Sequence, residues 1–167
     1  MRVFGLAGWS GSGKTTLLLR LIPELTRRGV SVSTVKHAHH AFDVDQPGKD
    51  SYRHREAGAV EVMVSSERRW ALMHEHRGSL ESTLPTLLRN MSPVDLVLVE
   101  GFKRHPHPKL EVHRPSLGKP LFCSEDPTVV AVASDVPIDG LPVPRLDVED
   151  IAGIATLALA RAAEVTG

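Results

Sequence analysis

The chain has one cysteine, Cys123, among its 167 residues. A single thiol excludes an internal disulfide framework and a four-cysteine zinc site. Surplus charge is also missing, since 20 Lys and Arg balance 20 Asp and Glu. Nucleic-acid binders usually carry a basic excess, so no nucleic-acid partner is expected. No apolar run approaches the roughly 20 residues that a membrane-spanning helix needs, so no membrane span is expected either. The run at residues 3–7 is too short and too soon interrupted for a signal peptide. There is no internal repeat and no linker that would divide the chain. These absences lead to an expected single domain over residues 1–167, large enough for a sizeable core, in a cytoplasmic protein.

The expected elements follow from hydrophobic pattern and punctuation. Residues 3–7 form a short apolar run ending in Gly8, as in a buried first strand. Residues 15–28, "TTLLLRLIPELTRR", read as a helix with a basic end and Gly29 as its stop, and with Pro23 as a kink or early break. Residues 30–35 read as a second strand, and residues 36–51 as a polar irregular stretch with a turn at Pro47-Gly48. A short helix is expected over 52–57. The runs "AVEVMVS" (59–65) and "RWALMHE" (69–75) form a hairpin candidate. A helix is expected over 80–90, a central buried strand over 94–100 ("VDLVLVE"), a strand over 128–134 and a closing helix over 148–165. The result is an α/β chain: a mainly parallel sheet flanked by helices, as in P-loop NTPases, with a hairpin added.

Residues 8–16, "GWSGSGKTT", are where chemistry concentrates. Gly8, Gly13, Lys14 and Thr15 satisfy the Walker A spacing G-x-x-x-x-G-K-[ST], with Gly11 as a further glycine. Glycines let backbone N–H groups turn toward phosphate oxygens, the lysine reaches the β and γ phosphates, and the Thr15 hydroxyl suits magnesium. A helix beginning at Thr15 adds its positive end. Ser10, Ser12 and Thr16 complete the candidate phosphate-binding set.

A second acidic group is needed near such a metal, from the end of a neighbouring buried strand. Glu100 fits, although aspartate is more usual there. It would hold magnesium-bound water or orient the attacking one. Asp43, Asp45 and Asp50 lie in the irregular stretch and are further candidates for the magnesium shell. Asp135 follows "VVAVAS" and is a candidate for reading guanine, whose N1–H and N2–H₂ both donate to one carboxylate. Common GTPases have a lysine two residues before such an aspartate; Ala133 stands there instead. All nine histidines lie between His37 and His113, and residues 103–119 carry five Lys and Arg against one acid, Glu111. A basic loop on a neutral protein suits an anionic small molecule or an acidic partner, or is a solvated loop.

Three blocks, "GWSGSGKTTLLLRLIPEL", "VKHAHHAFDVDQPGKDSYRHREAGA" and "DLVLVEGFK", resemble the molybdopterin-guanine dinucleotide biosynthesis protein B family (MobB), and "RWALM" and "VVAVASDVP" add to the match. The resemblance implies a GTP-binding protein with weak GTPase activity, similar to GTPases of the metal-centre maturation class. It implies a homodimer with a sheet extended across the interface. The implied partner is the guanylyltransferase that attaches GMP to molybdopterin, with a molybdopterin intermediate nearby. By resemblance Gly13, Lys14, Thr15 and Thr16 take the phosphates and Glu100 serves Mg2+. The related maturation factors carry a second lysine early in the loop; Trp9 occupies that place here.

Two rival readings remain open. A small-molecule kinase would use Arg53 and Arg55 as lid arginines, although no lid helix pair is evident. A metallochaperone would use the His37-x-His39 and His105-x-His107 pairs, which have no cysteine partner.

Overall fold

The computed structural model describes residues 1–38 and 42–165. It resolves into two compact units, one formed by Met1–His37 with Leu84–Gly167, the other by Ala38–Thr83. Among the described residues, no helix is long and apolar enough to cross a membrane.

The larger unit is a seven-stranded sheet. In chain order its elements are β1 (Arg2–Ala7), α1 (Lys14–Arg27), β2 (Val32–Lys36), and, after the smaller unit, α3 (Leu84–Arg89), β5 (Leu96–Glu100), β6 (Lys109–Val112), β7 (Val129–Ser134), β8 (Arg145–Asp147), α4 (Ile151–Arg161) and β9 (Ala163–Glu164). The parallel order is β2-β5-β1-β6-β7-β8, while β9 pairs antiparallel with the start of β1. The smaller unit contains α2 (Asp50–Glu56) and the antiparallel hairpin of β3 (Glu61–Ser65) and β4 (Trp70–His74). The expected α/β architecture with a hairpin is therefore present.

Strand alternation assigns side chains to two covers. Phe4 and Leu6 of β1 and Leu96 and Leu98 of β5 pack against Leu17, Leu21 and Leu25 of α1 and Ile154 and Ala158 of α4. Val3, Val97 and Val99 face the other way, onto Leu84 and Leu88 of α3. Burial on both faces explains why "LVLV" is continuously apolar instead of alternating. Pro23 does not break α1, which runs unbroken from Lys14 to Arg27. Pro23 and Leu19 are both exposed, so the Leu19 carbonyl that the missing N–H would have bonded lies on the solvent face. The closing helix α4 is shorter than expected, because the chain turns extended after Arg161 to form β9.

β6 is the strand that the sequence hid. Its residues read "KLEV" within the basic stretch 103–119, yet all four are buried. Leu110 and Val112 join the α1–α4 core. Lys109 and Glu111 point away from it and are satisfied locally. Lys109 Nζ donates to the His105 carbonyl at 2.7 Å and also bonds Thr128, with Asp126 at 3.4 Å. Burial lowers its pKa, and the Asp126 carboxylate opposes that. Glu111 accepts backbone N–H bonds from Phe122, at 2.9 and 3.0 Å, and from Cys123 at 2.9 Å. Buried charge survives only with such partners.

His107 lies just before β6, 1% exposed, with its Nδ1 3.1 Å from His105 Nδ1. Gly5 leaves the space for it: a Cβ there would stand 2.4 Å from His107 Nε2. Burial first, then the Lys109 charge, pushes the His107 pKa down from 6.5 to about 4. The unfolded chain therefore binds this proton more readily than the folded one. The neutral ring's contribution is complete above pH 6.5 and is lost as pH falls toward 4, at most roughly 3 kcal/mol. Chemical denaturation between pH 6.5 and 4 should show His107→Gln losing less stability than the parent over that window. Identical slopes would remove His107 from the acid response.

Candidate phosphate-binding site

The loop between β1 and α1 is tied to its neighbours by close contact. Gly8, Gly11 and Gly13 have φ of 148°, 79° and 99°. A Cβ on Gly8 would stand 2.5 Å from the Val112 carbonyl and 2.6 Å from Ser12 Oγ, so only glycine fits between the loop and β6. The Ser12 N–H donates to the Trp9 carbonyl at 3.2 Å and closes the turn. Ser12 Oγ is buried with no hydrogen-bond partner among the described residues. Gly13 is the N-cap of α1, so no side chain caps the helix, and its first turn carries no acid. The first-turn N–H groups and the positive helix end therefore have no side-chain acceptor, and such an end suits an anion.

Lys14 folds back over this loop, donating to the carbonyls of Gly8 at 3.1 Å and Trp9 at 2.9 Å. Its pKa is lowered, chiefly by burial. Glu100 works in the opposite direction, while Lys103 and Lys36 add to the lowering. Parallel pairing places Glu100 opposite Leu6, at the edge where β1 enters the loop. The Thr15 hydroxyl donates to Glu100 Oε1 at 3.2 Å. The expected pairing of loop and strand-end acid thus exists. Hydroxyl and carboxylate are the hard oxygen donors that magnesium takes, so the residues fit that ion. Ser10 and Thr16 are exposed on the loop and the first helical turn. Asp135 is exposed directly after β7, whose C-terminal end lies on the same edge of the sheet.

Asp43 and Asp45 lie in the smaller unit, where Arg55 engages both, at 2.8 and 3.3 Å. Arg55 also bonds Glu75 at 2.8 Å. The hydrogen bond from Arg55 holds the Asp43 carboxyl below its usual range. Partial burial of Asp45 acts the other way, but hydrogen bonds from Ser51, Gln46 and Arg55 outweigh it and lower that carboxyl too. These two acids are occupied by an ion-pair network, and Asp50 is the exposed first residue of α2. The same network uses Arg55, one of the two arginines a kinase lid would need. Of the histidine pairs, His105 and His107 bond each other, and His39 lies outside the described residues. Among the described residues, no group of three or more His, Cys, Asp or Glu is placed to hold a metal ion.

Sequence reasoning missed the chain that folds onto the loop's outer surface. The Arg114 guanidinium lies against Gly13 and Leu117 against Gly11. Trp9 Nε1 donates to the Pro120 carbonyl at 2.8 Å, and the Trp9 ring stacks on Phe122 at 4.9 Å between centroids. The only sequence signal was the basic composition of residues 103–119.

The family model described as molybdopterin guanine dinucleotide synthesis protein B (MobB) matches residues 3–135. The chain belongs to this family. Among curated MobB relatives, the molybdopterin-guanine dinucleotide biosynthesis adapter protein of Escherichia coli (strain K12) is 47% identical over 156 residues, covering 92% of this chain and 89% of that protein. The protein of the same description from Haemophilus influenzae is 44% identical, covering 92% of this chain and 85% of its own length. Solved MobB structures share the fold. A crystal structure of molybdopterin-guanine biosynthesis protein B superposes with TM-score 0.73 at 26% identity, covering 95% of this chain and 98% of that one. The MobB homolog from Bacillus stearothermophilus gives TM-score 0.68 at 27% identity, with 95% of both chains covered.

Proposed function

We propose that the chain is a GTP-binding adapter with weak GTPase activity that assists a guanylyltransferase in attaching GMP to molybdopterin. The adapter role is supported by family membership and by the names of relatives at 44–47% identity. The nucleotide role is carried by one observation: an uncapped helix start, Lys14, and the Thr15–Glu100 pair meet at the edge where β1 enters its glycine loop. Backbone donors of residues 8–16 and Lys14 would hold the phosphates. Lys14 would exchange its two loop carbonyls for phosphate oxygens, a stronger, charge-assisted bond. Thr15 and Glu100 would hold Mg2+, which when bound supplies charge neutralisation at the β and γ oxygens. Hydrolysis, in which water takes the γ phosphoryl group and GDP leaves, then needs positioning and electrostatic stabilisation, with no covalent intermediate on the protein. Asp43 and Asp45 are already engaged by Arg55, so Thr15 and Glu100 are the primary metal set.

Lys14→Ala should lose GTP binding in calorimetry while its circular dichroism stays that of the parent. The same variant should fail to retain the guanylyltransferase in a GTP-dependent pull-down. Glu100→Gln should bind GTP but lose hydrolysis, because the amide fills the same space without the charge. Parent-like GTP affinity in the first variant, or a parent-like rate in the second, would contradict these assignments.

The hairpin supplies the proposed homodimer contact. On one face Met63 and Trp70 are 61% and 59% exposed and Leu72 is also open, while Val64 is open on the other. Apolar side chains on both faces of a two-stranded ribbon call for a partner surface, and a second copy of the chain is the simplest one. Light scattering should give a dimer that Met63→Glu/Leu72→Lys converts to a monomer. A parent that is monomeric at all practical concentrations would sink this contact.

Asp135 is the proposed guanine reader. In Asp135→Asn an amide donor faces a guanine donor, and an unmatched donor costs about 1–3 kcal/mol. GTP affinity should fall about tenfold or more. XTP affinity should rise, because the amide can donate to the xanthine carbonyl. Titration of GTP, XTP and ATP into both proteins tests this. The same ranking with similar constants would leave Asp135 a turn residue.

A further inference from the structure

The basic stretch after β5 presents one cation in an unusual setting. Lys103 Nζ lies 4.8 Å from the Phe122 ring centroid and 5.1 Å from that of Trp9. The two rings stack with an interplanar angle of 24°, and Trp9 is anchored by its bond to the Pro120 carbonyl. Phe122 is fixed from below, since its N–H is held by the fully buried Glu111 carboxylate. The ammonium therefore rests on a rigid aromatic platform, half withdrawn from water, and among the described residues no carboxylate pairs with it. Lys119 also lies over Trp9, at 5.6 Å, but is exposed.

Where this ammonium sits matters more than what holds it. Its charge is felt by Lys14, and so is that of Lys36. Arg114 adds a guanidinium whose atoms come within 3.6–3.9 Å of where a Cβ on Gly13 would stand. Four cations thus gather around the glycine loop, where the Glu100 charge acts on Lys14. Glu111, the one acid in the basic stretch, is consumed by three backbone N–H bonds. Like charges held together without counter-charges destabilise the empty protein, and a polyanion relieves all of them at once.

We propose that Lys103 is a phosphate-contacting residue of this site, acting within its own subunit on the terminal phosphate of a nucleoside triphosphate, with Trp9 and Phe122 as the positioning residues that hold its ammonium. The inference rests on the nucleotide-binding reading above and deepens it. A flexible lysine on an exposed loop loses much side-chain entropy when it meets a ligand; one already resting against two rings loses less. Since Lys14 already serves the β and γ phosphates, Lys103 adds discrimination for the triphosphate over the diphosphate.

The test measures affinities for a non-hydrolysable GTP analogue and for GDP, with magnesium, in the full chain. Lys103→Met should weaken the triphosphate analogue about tenfold or more and GDP about threefold at most. Lys103→Arg should recover most of the difference, because it restores the charge on the same platform. Phe122→Leu should lose part of the triphosphate preference, a selectivity that general loosening of the loop would not change alone. Lys119→Met should bind both nucleotides like the parent. Equal affinities in Lys103→Met and the parent, or equal losses for both nucleotides, would overturn the proposal. Lys14→Ala separates the two levels. If it loses binding while Lys103→Met does not, only the role of Lys103 fails; if it keeps binding, the phosphate loop itself is misassigned.

Discussion

Everything at the proposed site depends on a helix that starts without a cap. Gly13 offers α1 no side-chain acceptor, and no acid occupies the first turn. The N–H groups there keep their donors for a ligand, and the positive end of the helix stays unneutralised. Natural helices usually satisfy this end with Ser, Thr, Asp or Asn, at a gain of roughly 1 kcal/mol. An end left open in this way suits an anion. Lys14 holding two loop carbonyls, and Ser12 Oγ buried without a partner, belong to the same arrangement.

β6 connects that loop to the rest of the sheet. Its Val112 carbonyl presses on Gly8, and Ala7 is registered with Glu111. Glu111 gathers the N–H groups of Phe122 and Cys123, and Phe122 carries the stack on Trp9 within the loop. A buried carboxylate in the sheet thereby sets the position of an aromatic side chain in the phosphate loop. Lys109 does comparable work at the other end of the strand, tying His105, Asp126 and Thr128 together. Polar groups buried in this manner are costly if left half-satisfied, so the segment over the loop is held in one arrangement.

The parts of this architecture that were legible in the sequence are those where local pattern and burial agree. Residues 3–7, 94–100 and 128–134 are apolar runs and became strands. The Walker A spacing and Glu100 were visible because the chemistry needs those residue types at chain positions that a parallel sheet brings together. β6 was not legible because its alternating charges suggest solvent, whereas the groups that satisfy them lie four residues back, at His105, and 11 to 19 residues onward, at Phe122 and Thr128. The Trp9 platform was invisible for a related reason. Trp9 and Phe122 are separated by more than a hundred residues, and only the β1–β6 pairing brings them into contact. Asp43 and Asp45 are acids in an irregular loop, and the sequence did not show that Arg55, ten residues or more along the chain, engages both.

The central claim is that this edge of the sheet is built for a chain of phosphates on guanosine. Its most direct measurement is a calorimetric titration of the parent protein with GTP, GDP and GMP, each with magnesium and with a chelator. The structure predicts affinity that falls with each phosphate removed, by about tenfold or more between GTP and GMP, and a magnesium effect that is largest for GTP. Equal affinity for GTP and GMP, indifferent to magnesium, would contradict it.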